Sequence, residues 1–145
     1  MRWKACSTSD WKPVELIISI LQKPKGFKML TISKHADVTG VAPITEILDG
    51  WVVTKGNPEM KTWVMHTSED GSMISGYWEA TPGTYHATYS EYEFVHLIEG
   101  KIIITADGQS PVTVSAGDAF VVEASFKGTW EIVKSVRKHF DIKLK

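Results

Sequence analysis

An all-β sandwich or barrel is the fold class this sequence predicts, and three observations carry the prediction. Some nine short stretches of strand character recur at regular spacing. Turn chemistry separates them, notably at Glu69-Asp70-Gly71, Asp107-Gly108 and Ala116-Gly117-Asp118. Little of the chain carries helical periodicity.

The elements follow in order. Residues 30–51 have loop character, punctuated by Gly40, Pro43 and Gly50. Residues 51–54 read as an edge strand, and Gly56-Asn57-Pro58 as a turn. The run 62–67 (TWVMHT) alternates and reads as a strand, with a second over 72–80. The stretch 76–100 is the centre of the chain. It holds Trp78, a Pro82-Gly83 corner, His86, and carboxylates at Glu79, Glu91, Glu93 and Glu99. From Tyr92 its residues alternate, with Glu93, Val95 and Leu97 on one face and Tyr92, Phe94, His96 and Ile98 on the other. Gly100 is read as the end of that strand. Residues 101–106 form an isoleucine-rich strand, and Asp107-Gly108 turns it back into 112–114 as a tight hairpin. Pro111 suits a strand start, where a missing N–H is tolerated. At Ala116-Gly117-Asp118, glycine permits a positive φ and the aspartate can accept from nearby backbone N–H groups. Residues 119–122, 129–136 and 139–144 complete the set.

Composition narrows the function. The 145 residues suffice for one domain with one core. Sixteen basic residues face seventeen acidic ones, which argues against nucleic acid as a partner. The lone cysteine, Cys6, excludes an intrachain disulfide framework and fits a reducing, cytoplasmic compartment as an inert thiol. No apolar run approaches the roughly 20 residues of a membrane helix, so no membrane partner is expected. Residues 1–28 stand apart, with six basic residues against two acidic ones and a short apolar run (VELIISIL) over 14–21. Glu15 and Ser19 interrupt that run and no small-residue cleavage site follows, so it is read as a segment docked on the body rather than a signal peptide. The expected organisation is an N-terminal extension, 1–28, and a single domain, 29–145. Met29 is a candidate alternative start.

Gly76-Tyr77-Trp78-Glu79, Pro82-Gly83, the run from Glu93 to Gly100, Ala116-Gly117-Asp118, Gly128-Thr129-Trp130-Glu131 and Arg137-Lys138-His139 together resemble the cupin superfamily. More narrowly they are similar to small single-domain cupins related to the ureidoglycine aminohydrolase cupin domain and to the ethanolamine utilisation cupin protein. The resemblance runs over about residues 46–144 and implies a double-stranded β-helix, or jelly-roll barrel, paired as a homodimer. It also implies a metal site from two motifs. Glu93 and Gly100 fit the end of the first, and His86 falls on its first histidine, but Thr88 stands at the second histidine. In the second motif the histidine position is Gly128. The chain thus keeps His86 and Glu93 of four usual ligands.

About three protein ligands hold a divalent ion firmly. Glu79, Glu91 or His96 could add a third to His86 and Glu93, although His96 is expected on the face opposite Glu93 and Glu91 on the same one. The expectation is at most a weakly held divalent metal ion, or a pocket without metal in which Glu93 is a buried carboxylate. Trp130 shares its face with Gly128 and Ile132 and is a candidate for the barrel interior. By the same parity Lys138 stands at the mouth. Glu93 and Lys138 would then supply one acid and one base group, the candidate catalytic pair. Trp130, Tyr85, Glu91 and Glu79 are the candidate ligand-binding residues. Tyr85, Tyr89 and Tyr92 either line an aromatic wall or pack the outer face. No phosphate loop, Ser-His-Asp spacing or Cys-x-x-Cys pair appears. The functional expectation is a cupin that binds a small polar metabolite, with metal-assisted hydrolysis of a nitrogen-rich substrate if it is catalytic. The alternative is a non-catalytic ligand-binding or assembly cupin without bound metal. Fold alone does not decide between them.

Overall fold

The computed structural model describes residues 32–35 and 38–144. The expected N-terminal extension, with Cys6, the 14–21 run and Met29, lies outside the described residues. Among the described residues there is no helix, and none long and apolar enough to cross a membrane.

Among the described residues there are eight strands. They are β1 (Trp51–Lys55), β2 (Met60–Thr67), β3 (Met73–Ala80), β4 (Gly83–Thr88), β5 (Tyr92–Ala106), β6 (Val112–Ser115), β7 (Ala119–Val122) and β8 (Lys127–Lys143). Every pairing is antiparallel. Two long strands organise the rest. β5 and β8 pair along nearly their whole length, from Tyr92↔Lys143 to Ala106↔Gly128. The first half of β8 also pairs β4, which pairs β1, while the second half of β5 pairs β6. The second half of β8 pairs β3, which pairs β2, while the first half of β5 pairs β7. The result is two five-stranded sheets that share β5 and β8 and bend into one another, the jelly-roll arrangement of a double-stranded β-helix.

The bend falls where the register of the β5–β8 ladder shifts, between Leu97 and Ile102. Gly100 sits in the middle with φ of 89°. A Cβ there would collide with the carbonyl oxygens of Ser135 and Lys134. Gly100 is therefore a bulge at the corner, not the strand end expected from sequence. The extra residue kinks the strand and lets it serve both sheets. The expected strands 129–136 and 139–144 likewise fuse into β8. β4, over which no strand was expected, is a strand in its own right. The expected turns hold, and at Gly117 (φ 97°) the Asp118 carboxylate accepts from the Ser115 N–H at 2.8 Å.

Alternation decides which side chains enter the barrel. On β5, Glu93, Val95 and Leu97 are buried while Phe94 and His96 are exposed. On β8, Gly128, Trp130, Ile132, Val136, Lys138, Phe140 and Ile142 are buried. The core is aliphatic at Ile74, Ile102, Ile132 and Val136, and aromatic around Trp51, Trp78, Tyr85, Tyr89 and Trp130.

Candidate functional site

Inside the barrel, five aromatic rings surround an ion pair. Trp51, opening β1, is the hub. Its ring centroid lies 5.7 Å from that of Trp78, 5.6 Å from Tyr85, 5.9 Å from Tyr89 and 5.2 Å from Trp130. Tyr85 and Trp130 are cross-strand partners of β4 and β8, so the sheet itself sets them side by side. Tyr89 stacks on Trp130 at 6.2 Å with planes 17° apart.

Lys138 enters from β8, opposite Trp78 on β3 and Leu97 on β5. Its Nζ lies 4.9 Å from the centroids of both Trp78 and Trp130, a cation held between two π-faces. Nζ donates to Glu93 Oε1 at 2.6 Å. The Tyr89 hydroxyl donates to Glu93 Oε2 at 2.8 Å. Both oxygens of Glu93 are thus engaged, and the side chains of Lys138 and Glu93 are each 2% exposed. Burial pushes the Lys138 ammonium below the ordinary lysine range, and the Glu93 carboxylate opposes that shift. Burial, reinforced by the charge and hydrogen bond of Glu93, holds the Tyr89 phenol well above its usual range. Burial, with a smaller push from Glu59, takes Tyr85 up to about 12. Both phenols are therefore neutral donors at neutral pH. The indole N–H groups of Trp51, Trp78 and Trp130 and the Tyr85 hydroxyl are buried with no hydrogen-bond partner among the described residues.

Four of the residues singled out from sequence meet here, namely Glu93, Lys138, Trp130 and Tyr85. Lys138 is placed deeper than expected, in the buried interior rather than at the mouth. The others do not join them. His86 alternates with buried Tyr85 and Ala87, so it points outward, where Nε2 lies 3.1 Å from both oxygens of Asp107. Glu79 is on the outer side of β3 and pairs with Arg137 at 3.5 Å. Glu91 lies in the turn ahead of β5, half-buried, and accepts from the Ser90 hydroxyl at 2.6 Å. Trp51 and Trp78 are the working neighbours that sequence reasoning did not assign, and Tyr89, left open between an aromatic wall and the outer face, lies in the wall. Trp78 was within reach of parity, since it alternates with outward Glu79. Trp51 was not, because its place depends on β1 pairing with the unrecognised β4.

The residues do not fit the metal that the cupin resemblance implies. His86 and Glu93 stand on opposite faces of the barrel wall, and both Glu93 oxygens already hold donors. Among the described residues no group of three His, Cys, Asp or Glu side chains is arranged to hold an ion. The pairing of His86 with Glu93 as ligands is therefore corrected. The charge facing Glu93 is the ammonium of Lys138.

The comparisons agree with this architecture. The model of the EutQ-like cupin domain matches residues 67–140. The chain belongs to this family. No curated protein matches it. Among solved structures it is similar to the Clostridium difficile EutQ protein, with 21% identity and a TM-score of 0.54, over 59% of this chain and 68% of that one. A putative ethanolamine utilization protein Q from Salmonella typhimurium is similar at 20% identity and a TM-score of 0.51, again over 59% and 68% of the two chains. A protein of unknown function from Pseudomonas syringae pv. tomato aligns at 20% identity and a TM-score of 0.55, over 63% of this chain. This cupin spans 44% of that protein's length. At these identities the likeness is one of fold.

Proposed function

We propose that this cupin binds a small polar metabolite at the Lys138–Glu93–Tyr89 centre, with Lys138 as the group that meets it. The observation that carries the reading is the 2.6 Å ion pair buried in an aromatic box. Taking two charges out of water costs several kcal/mol per ion, and well-packed apolar residues often serve stability as well or better. Perturbed ionisable groups gathered in one enclosed place are the usual mark of a working site. Three indole N–H groups and the Tyr85 hydroxyl stand in the same box without acceptors, which suits a ligand rich in acceptor atoms.

The same groups can move a proton. A lysine held below its usual range passes a proton more readily than a free one, and Glu93 is in hydrogen-bond contact to receive it. In hydrolysis of a nitrogen-rich substrate, Glu93 would take a proton from the attacking water and Lys138 would give one to the leaving nitrogen as the C–N bond breaks, and transfer across the pair would restore both groups. In this reading the chemistry rests on the acid–base pair, with no step assigned to a metal. The test is a thermal-shift and calorimetric screen of small carboxylates, ureides and amides, followed by NMR for turnover. At least one compound is expected to bind the parent, and Glu93→Leu/Lys138→Met is expected to lose it. A double variant that binds the same compound like the parent overturns the proposal, as does a screen without a single binder.

An assembly role is the second reading. It is favoured by Phe94 and Val121, exposed cross-strand partners on the outer face of β5 and β7. A homodimer, or docking in a larger assembly, would cover them, and sedimentation equilibrium of the full chain tests the first of these. A monomer at high concentration removes the support.

A further inference from the structure

Three histidines from three parts of the chain converge outside the barrel, away from the ion pair. His96 on β5 and His139 on β8 are cross-strand partners, and Tyr77 on β3 is the partner of His139 on the other side. The three form a row on the outer face because their neighbours Lys138, Leu97 and Trp78 point inward. His35, ahead of the first strand, lies over that row. Its ring centroid is 6.0 Å from that of His139 and 6.1 Å from that of Tyr77, and its Nε2 lies 3.0 Å from the Ser75 hydroxyl oxygen. His96 and His139 lie 6.1 Å apart, and His139 packs on Tyr77 at 4.4 Å. The rings border an open groove of about 640 Å³.

We infer that His35, His96 and His139 form a proton-operated latch that holds the segment 32–35 on the outer face at neutral pH and releases it on mild acidification. An edge-on neutral imidazole packs well against tyrosine and imidazole faces. Protonation of His139 puts a positive charge about 6 Å from both the His35 and the His96 ring. The surrounding charges offset this only in part. Arg137 on β8 stands 4.6 Å over the Tyr77 ring and adds a positive charge, itself paired with Glu79 on β3 at 3.5 Å. Among the described residues Asp141 on β8 is the carboxylate lining the groove; β7 contributes Ala119 and β3 contributes Tyr77, neither charged at neutral pH.

The direction of the titration agrees with that geometry. Burial first, then His35, His96 and Arg137, press the His139 imidazole below its ordinary range, against a smaller upward pull from Asp141. His139 therefore binds fewer protons in the assembled cluster than in the separated one, between its lowered value and the ordinary one near 6.5. The stability of the cluster is complete above that window and is lost as pH falls through it. The Ser75 hydroxyl can accept from Nε2–H of a neutral or a protonated His35, so this bond holds the segment in both states and the charge repulsion must exceed it.

The test is NMR of the full chain across a pH series from about 8 to about 5, in the range where histidine titrates. The amide signals of Ser33, Lys34 and His35 are expected to move together to unstructured-chain positions in one transition, while the buried indole signals stay in place. In His96→Gln/His139→Gln the transition should move down by about one pH unit or vanish. Amides of 33–35 that do not move by the acid end, or a transition unchanged in the double variant, overturn the inference. Should that variant fail to fold, salt on the parent decides. Raising the ionic strength from 0.1 to 1 M shortens the screening length from about 10 to about 3 Å. Charge repulsion over 6 Å is then weakened and the midpoint must fall, so a fixed midpoint sinks the latch.

Discussion

Breaking the ion pair from either side should destabilise this cupin with opposite pH signatures. Lys138→Met leaves the Glu93 carboxylate with Tyr89 as its hydrogen-bond donor. The buried carboxylate can escape by taking a proton. From the ordinary glutamate value, that costs roughly 3–4 kcal/mol at pH 7. Glu93→Gln leaves an ammonium between two indoles, and Lys138 can escape by losing its proton. From the ordinary lysine value, that costs about 5 kcal/mol at pH 7. These escapes cap the losses, so about 3 kcal/mol is expected for Lys138→Met and about 4 for Glu93→Gln, in line with single-partner removals elsewhere. For a chain of this size each kcal/mol lowers the melting temperature by about 3 °C, so the drops are on the order of 10 °C. The orphaned Glu93 would titrate above its unfolded value, so the stability of Lys138→Met should climb as pH falls from 7 toward about 4.5. The orphaned Lys138 would titrate further below its unfolded value than in the parent, so the stability of Glu93→Gln should climb as pH rises toward about 10. Glu93→Leu/Lys138→Met strands no charge but leaves the buried Tyr89 hydroxyl without its acceptor, so a loss of about 1–3 kcal/mol without the pH slopes of the single variants is expected. Urea denaturation at several pH values reads all three. Losses under about 1 kcal/mol for both single variants, or slopes of the same sign, would refute the pairing argument.

Other variants test the barrel around it. Trp130→Ala removes a fully buried ring that touches four aromatic neighbours, and urea midpoints should report a loss of about 3–5 kcal/mol. Gly100→Ala places a methyl against the carbonyls of Ser135 and Lys134 at a positive φ, so a loss of about 2 kcal/mol or more is expected; a neutral result would mean the corner has another geometry. His86→Ala removes only a partly exposed contact with Asp107, and its melting temperature should stay within about 2 °C of the parent. Its uptake of added zinc or manganese, measured by elemental analysis after dialysis, should match the parent, and a clear drop would return His86 to a metal site.

What the sequence made legible is what one strand can say about itself. Alternation grouped Glu93 with Val95 and Leu97, and Trp130 with Ile132 and Lys138, each on one face, and Asp-Gly and Gly-Asp pairs located the turns. Pairing was the harder part, because it is long-range. Glu93 and Lys138 are 45 positions apart, and nothing local in either strand says that they touch. Without that contact Glu93→Gln reads as a mild change that keeps the fold; with it, the same substitution strands a buried ammonium. Gly100 was misread for a related reason. A glycine in a strand pattern marks either an end or a bulge, and only the carbonyls of Ser135 and Lys134, from a strand more than thirty residues later, show which. His86 was aligned by spacing from Glu93 across the turn that joins β4 to β5. Spacing counts residues but does not carry parity through a turn, so the histidine that matched the motif points out of the barrel. The imidazoles that do cluster were invisible for the opposite reason. His35, His96 and His139 share no motif, and two of them owe their proximity to the β5–β8 ladder. Wherever two long strands form the seam between two sheets, as here, both the inner charge pair and the outer histidine row are products of one register. A one-residue slip between β5 and β8 would turn Glu93 and Lys138 to opposite faces and break up both at once.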